Sequence, residues 1–132
     1  MAQEIHGTRR ETLAQRLANW YPPVALMLLI FIGSCLPGYV PLSGFRFSDK
    51  GLHTVVFGVL AVLFCRAISP GRVTAGVAAL SFLLAAAYGA TDELHQWMVP
   101  SRVASWADFA ADAVGAALGA LGYWSFWRFR RR

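Results

Sequence analysis

The apolar residues of this chain fall into four long runs separated by short polar segments. Two of these runs are unambiguous: no charged residue lies between Leu17 and Phe45, and residues 73–91 form a second stretch of 19 residues without a charge. A helix that crosses a bilayer needs about 20 consecutive, mostly apolar residues. The two runs therefore predict two membrane-spanning helices, at about 22–38 and 73–91.

The other two apolar runs are too short to cross a bilayer by themselves. Residues 51–65 and 113–127 each comprise 15 uncharged residues, or about 22 Å of helix against a hydrocarbon core of about 30 Å. Extended to about 50–68 and 106–127, they reach full length. The first then contains His53, and the second takes in Asp108 and Asp112. Ionisable residues at such depth usually face the bundle interior or a wet cavity. We therefore predict an all-α, polytopic membrane protein, a four-transmembrane-helix bundle.

Composition and charge agree with a membrane location and suggest an orientation. Hydrophobic residues make up 57% of the 132 residues and charged residues 14%, whereas soluble domains have about 25% charged residues. Nine of the twelve basic residues fall on one predicted side. The positive-inside rule then places both termini in the cytoplasm and the loops 38–50 and 92–106 outside. This divides the chain into a cytoplasmic arm (1–19), a membrane domain (20–127) and a basic cytoplasmic tail (128–132).

The acidic and histidine residues are concentrated near the predicted outer face. Residues four apart share one face of a helix, and three such pairs occur there: Asp49 with His53, Asp92 with Gln96, and Asp108 with Asp112. Glu93 and His95 lie at the same level. A chain with few polar side chains has thus collected them from three helices, which predicts a shared cluster. The net charge of +5 comes from short flanking basic groups without interleaved aromatic residues, so nucleic-acid binding is not predicted.

A ridge of small residues follows the acidic pair along the fourth predicted span. Gly115, Gly119 and Gly122 continue the face of Asp108 and Asp112, and glycines at this spacing allow another helix to approach closely. We expect simple helix packing along this ridge. The two carboxylates would consequently face protein and not lipid.

The ordered motifs of this chain resemble those of the VanZ-like family of bacterial membrane proteins. The resemblance covers about residues 20–125 and rests on three motifs: Ser48-Asp49-Lys50-x-x-His53, then Asp92-Glu93-x-His95-Gln96-x-x-Val99-Pro100-x-Arg102, then Asp108-x-x-x-Asp112-x-x-Gly115-x-x-x-Gly119. Two positions depart from the pattern, Ser101 in place of glycine and Asp112 in place of asparagine. The resemblance implies a location in the bacterial cytoplasmic (inner) membrane. It also implies a link to low-level resistance to the glycopeptide teicoplanin.

One interpretation of the cluster is a membrane enzyme that acts at the outer leaflet on a lipid-linked or anionic cell-envelope substrate. Arg102 and Lys50 would hold a phosphate or carboxylate. Glu93, Asp108 and His53 are the candidate catalytic residues, because crowded carboxylates and a histidine can serve as general acid and base. The remaining polar residues are candidates for substrate binding: Gln96, Asp92, Asp49, Asp112 and His95.

Two further interpretations need no turnover. The protein could be a binding or accessory protein that recognises a lipid head group or an envelope precursor with the same two cations. Alternatively, the charged residues could form an interhelical network that fixes the bundle. Two cations against five acids leave an excess of negative charge, which a purely structural network has little reason to keep near lipid. Membrane lipid is the expected partner in each case, and the sequence does not choose among the three.

Some residues of the cluster are of the types that ligate metal ions. His53, His95 and Glu93, with an aspartate, could supply two histidines and carboxylates to a metal ion. Their spacing matches no compact ligand motif such as H-E-x-x-H, and the histidines belong to different predicted helices. We therefore predict no cofactor.

Overall fold

Four helices make up the described part of the chain, which comprises residues 12–36, 49–100, 102 and 104–130 of a computed structural model. They are α1 (Leu13–Cys35), α2 (Asp49–Ile68), α3 (Ala75–Met98) and α4 (Trp106–Phe129). No strand occurs among these residues. The predicted all-α fold with four helices is therefore confirmed.

Helix α1 begins earlier than the first predicted span because its start carries a capping box. The Thr12 hydroxyl accepts a hydrogen bond from the backbone N–H of Gln15, and the Gln15 side chain accepts one from the backbone N–H of Thr12. These reciprocal bonds satisfy two otherwise unpaired N–H groups. The helix then continues through Pro22 and Pro23. Residues 13–19 of the predicted arm are thus helical and continuous with the first span.

Helix α3 extends past the end of the third predicted span. The expectation that 92–106 forms a loop is wrong for residues 92–98, which belong to α3. No glycine or proline lies between Thr91 and Met98, and the segment includes Glu, Leu and Gln, which are good helix formers. Val99, which precedes Pro100, has extended backbone geometry, as expected for a residue before proline. The acidic and histidine motif of this region therefore lies on the last turns of a helix.

Three of the helices, α1, α2 and α3, are long and apolar enough to cross a membrane. Helix α4 is less apolar, but its 24 residues correspond to about 36 Å. Large apolar side chains are exposed on all four helices, as lipid-facing surfaces require. Examples are Leu29 on α1, Val55 on α2, Leu83 on α3 and Leu118 on α4. The chain is a membrane protein with several spans, and the side of the membrane on which each terminus lies remains a prediction.

The helices run alternately up and down, so that the bundle has two chemically different ends. One end, called here the polar end, combines the last turns of α1 and α3 with the first turns of α2 and α4. The opposite end, called here the basic end, carries Arg66, Arg72, Arg128 and Arg130. Every predicted site residue that the structure describes lies at or near the polar end.

Helices α2 and α4 are parallel and form the closest contact of the bundle through glycine. A Cβ atom added at Gly115 would overlap the backbone of Thr54, and one added at Gly119 would overlap the backbone of Gly58. A Cβ at Gly122 would meet nothing within 4 Å. Two of the three glycines of the ridge therefore make the predicted close approach. This contact fixes the spacing between the helices that carry His53 and Asp112.

Candidate functional site

Three side chains from three helices meet inside the polar end. His53 of α2, Glu93 of α3 and Asp112 of α4 each place one potential ligand atom within 4.8 Å of the others. We call these residues the triad. Nδ1 of His53 and Oδ1 of Asp112 are 2.8 Å apart, a hydrogen-bond distance. Asp112 is fully buried, and the His53 side chain keeps 17% of its exposure.

Two carboxylate oxygens of the triad have no hydrogen-bond partner. They are Oε1 of Glu93 and Oδ2 of Asp112, and both are buried. The other oxygen of Glu93, Oε2, accepts a hydrogen bond of 2.8 Å from the backbone N–H of Ser105. Buried polar atoms are almost always paired in proteins. The triad is therefore incomplete as a purely internal hydrogen-bond network.

Gly89 makes room for the buried carboxylate. A Cβ atom at this position would lie 3.0 Å from Oδ2 of Asp112 and 3.3 Å from the ring of Phe57. The face of α3 one turn before Glu93 is thus left open for the Asp112 side chain. The ring of Phe57, which also belongs to α2, is stacked with the ring of His53, with centroids 6.4 Å apart. Packing from α2 and α3 consequently confines both members of the hydrogen-bonded pair.

An ion pair lies one turn closer to the membrane surface. Nζ of Lys50 is 2.9 Å from Oδ1 of Asp108. The Lys50 side chain is 56% exposed and the Asp108 side chain 15%, so the pair borders solvent or head groups. Lys50 and Asp108 were predicted as substrate-binding and catalytic candidates, respectively. The structure pairs them with each other above the triad.

Asp92 belongs to a second polar group, which faces α1. Its carboxylate accepts hydrogen bonds from the hydroxyl of Ser34 and from Nε2 of Gln96, the latter at 2.9 Å. All three side chains are buried. The neighbouring residues Asp92 and Glu93 therefore point to different sides of α3. In the described part of the chain, the buried residues expected in one cluster therefore lie in two adjacent groups, the triad and the group around Asp92.

Arg102 holds the end of α1. Its guanidinium donates from Nε to the carbonyl of Leu36 at 3.1 Å and from a terminal nitrogen to the carbonyl of Gly33 at 2.8 Å. Carbonyls in the last turn of a helix lack partners within the helix, and a cation there also complements the helix dipole. The residue predicted to bind a substrate anion thus contacts backbone carbonyls.

His95 faces α1 and not the triad. Its Nε2 lies 3.3 Å from Sγ of Cys35, and its ring centroid is 4.7 Å from that of Phe31. The two histidines of the sequence motif therefore occupy different places. Asp49 is the first residue of α2, and its side chain lies outside the described part of the chain.

The triad can carry out two kinds of chemistry. A hydrogen-bonded carboxylate orients a histidine for proton transfer, and a second carboxylate nearby can serve as its acid or base partner. Alternatively, one imidazole nitrogen and two carboxylate oxygens can ligate a divalent cation. Both uses place the reacting or bound group at the unpartnered oxygens of Glu93 and Asp112.

Three contributors to the site were absent from the sequence-based predictions. Ser34 and Gly89 fell within predicted apolar spans, and Ser105 within a predicted loop. A serine in an apolar run is one available signal, because buried hydroxyls usually bond to a partner. Which partner it takes depends on how α1 and α3 pack, and that is not encoded in local spacing.

Comparison with known proteins identifies a family. A sequence model of the family described as VanZ/LLP1 matches residues 5–128, which is nearly the whole chain. No curated protein and no solved structure matches the chain.

Proposed function

The chain belongs to the VanZ/LLP1 family, and we propose that it acts at the outer leaflet of the bacterial inner membrane on a lipid-linked or anionic cell-envelope substrate. The proposal includes a fourth span along α4 and cytoplasmic termini. It also includes an effect on susceptibility to teicoplanin, which targets envelope precursors outside the membrane.

The observation that carries the proposal is the incomplete triad. Oε1 of Glu93 and Oδ2 of Asp112 are buried without partners, although ionisable groups inside a membrane are costly and tend to be retained for function. A purely structural network would satisfy these atoms. Their position at the polar end, away from the basic end, supports an outward-facing site under the positive-inside rule.

In the proposed reaction, the residues of the triad handle protons. His53, oriented by Asp112, would accept or donate a proton at the reacting group, and Glu93 would serve as the second acid or base. Lys50 is an exposed cation at the polar end and would exchange its bond with Asp108 for one with a substrate phosphate. Before substrate binds, Asp108 would hold Lys50 in position for this exchange.

A non-catalytic binding or accessory role is the second candidate, and one observation favours it. Arg102 and Lys50, the two cations expected to hold an anionic substrate, already contact α1 carbonyls and Asp108, respectively. A protein that recognises a lipid head group could exchange these contacts upon binding without any chemical step. The two candidates predict different products, so they can be separated.

The test compares membranes of a susceptible bacterial host with and without the protein. Teicoplanin susceptibility would be measured for the wild type, Glu93→Gln and His53→Gln at matched membrane abundance, with His95→Gln as the control. We expect the first two variants to lose the effect and the control to keep it. If both triad variants fold and keep the full effect, the proposed site is refuted. Mass spectrometry of lipid-linked precursors then separates the candidates, because only an enzyme leaves a precursor of altered mass.

A further inference from the structure

Charge balance at the triad is the starting point for a further inference. Glu93 and Asp112 are 8% and 0% exposed, and within the described residues neither carboxylate lies within ion-pair distance of a lysine or arginine. The two ion pairs there join Lys50 to Asp108 and His53 to Asp112. Two carboxylates at this depth are strongly destabilised unless positive charge compensates them. A single divalent cation would compensate both.

The donor atoms match what such a cation requires. The triad offers one imidazole nitrogen and two carboxylate oxygens within 4.8 Å of one another, and two buried oxygens have no other partner. Zinc takes three protein ligands of these types and a fourth, exchangeable ligand in open sites. Its bonds of about 2.0–2.2 Å place tetrahedral donors about 3.4 Å apart, so ion binding would shorten the widest spacing among the three donors, which lie within 4.8 Å of one another. An ion held by Nδ1 of His53 and Oδ1 of Asp112 would replace their 2.8 Å hydrogen bond.

The surroundings favour movement of side chains over movement of helices. Gly115 and Gly119 hold α2 and α4 in backbone contact, which fixes the distance between the helices that carry His53 and Asp112. Oε2 of Glu93 is anchored by the N–H of Ser105, which leaves Oε1 for a ligand bond. This backbone donor acts as the outer contact that orients a ligating carboxylate. The 17% exposure of the His53 side chain gives an ion a route from the polar end.

We propose that His53, Glu93 and Asp112 form a binding site for one divalent transition-metal ion. Zn²⁺ is the ion used to test the site. This goes beyond the proposed function and changes the role of the triad within it. Side chains that ligate an ion would not carry protons, and the ion would instead offer an anionic substrate the positive charge that Arg102 does not supply. Of the ligands that the sequence suggests, His95 is left out, because it faces Cys35 on α1. The aspartate of the set is Asp112.

The test uses full-length protein purified in detergent, stripped with a chelator and desalted. Zn²⁺ alone is added, and bound metal is counted by mass spectrometry after a second desalting step. We expect about one zinc per chain for the wild type. Zinc binding should weaken at least about tenfold in each of three variants, His53→Gln, Glu93→Gln and Asp112→Asn. Loss of an outer contact, which only orients a ligand, already weakens metal binding by about 10- to 100-fold.

His95→Gln is the matched control, because it removes a histidine at the same level that lies outside the triad. It should keep full stoichiometry. If His95→Gln loses zinc and His53→Gln keeps it, the ion binds at Cys35 and His95, and the proposal is wrong. Failure of the wild type to retain zinc, with saturable binding absent in a titration, would overturn it equally.

Substitution of cobalt for zinc keeps the proposal testable even if triad variants fail to fold. Co²⁺ bound by the wild-type triad should show visible absorption without a thiolate-to-cobalt charge-transfer band, since the site contains no sulfur. A charge-transfer band would place the metal at a cysteine and refute the site. None of these measurements requires a substrate, so loss of the teicoplanin effect and loss of the metal site can be observed independently.

Discussion

Replacement of Gly115 by alanine should separate α2 from α4 and destabilise the protein. An added Cβ would lie 2.7 Å from the carbonyl carbon of Thr54 and 2.8 Å from its Cα, whereas carbon atoms in good contact are about 3.5–4.0 Å apart. The obstacle is backbone, which cannot rotate away as a side chain could. The helices must therefore move apart by about 1 Å at this level.

The expected cost of Gly115→Ala is about 1–3 kcal/mol, the usual penalty for overpacking. It is partly offset by the higher helix propensity of alanine, worth up to about 1 kcal/mol. Gly119→Ala should behave in the same way, since its Cβ would lie 2.8 Å from the carbonyl carbon of Gly58. Gly122→Ala is the control, because it meets nothing within 4 Å and should be neutral or slightly stabilising.

The free energy of unfolding can be measured by titration of detergent-solubilised protein with SDS, with helix content followed by circular dichroism. The result that would refute the packing argument is equal stability of Gly115→Ala and Gly122→Ala. The variant also tests the coupling between the fold and the site, because Thr54 follows His53 directly in α2. We expect Gly115→Ala to weaken zinc binding, while Gly122→Ala leaves it unchanged.

Three other substitutions probe contacts at the polar end. Ser34→Ala should destabilise the protein by about 1–3 kcal/mol in the same SDS titration, because it leaves a buried oxygen of Asp92 without its donor; a loss below about 0.5 kcal/mol would speak against this bond. Arg102→Gln should speed amide hydrogen exchange in the last turn of α1, whose Gly33 carbonyl loses its charged donor, and unchanged exchange would show that the cap is dispensable. Lys50→Gln should cost less than about 1 kcal/mol, since exposed ion pairs contribute little, and a larger loss would mean that the pair is more buried than its 56% lysine exposure indicates.

The fold was largely predictable because its signals are local. Apolar runs locate α2 and α4 within about two residues at each end. The start of α1 and the end of α3 lie nine and seven residues beyond the predicted spans. The start of α1 is set by the capping box at Thr12, outside the apolar run, and the polar segment 92–98 continues α3 because it contains no helix breaker. Polarity marks neither exposure nor the end of the helix in this segment, because Asp92, Glu93 and Gln96 are buried within α3.

The three residues of the triad are among those that the sequence predicts for the site, but their contacts could not be predicted. Spacing placed His53 and Asp112 at the same level, yet only packing shows that they touch and that His95 turns toward Cys35. Arg102 looked free to bind an anion because its carbonyl partners, three residues apart on α1, are backbone atoms that carry no sequence signature. Long-range partners depend on helix register and rotation, which local periodicity leaves undetermined.

The central claim is that the polar end faces the outside of the cell, and cysteine labelling tests it most directly. Ser101→Cys, between α3 and α4, and Pro70→Cys, between α2 and α3, would be introduced separately into a chain that carries Cys35→Ser and Cys65→Ser. Intact cells would then be treated with a membrane-impermeant thiol reagent. We predict that the cysteine at position 101 reacts from outside and the one at position 70 reacts only after the cells are opened. Labelling of position 70 but not of position 101 in intact cells would place the triad at the cytoplasmic face and contradict the proposed outer-leaflet function.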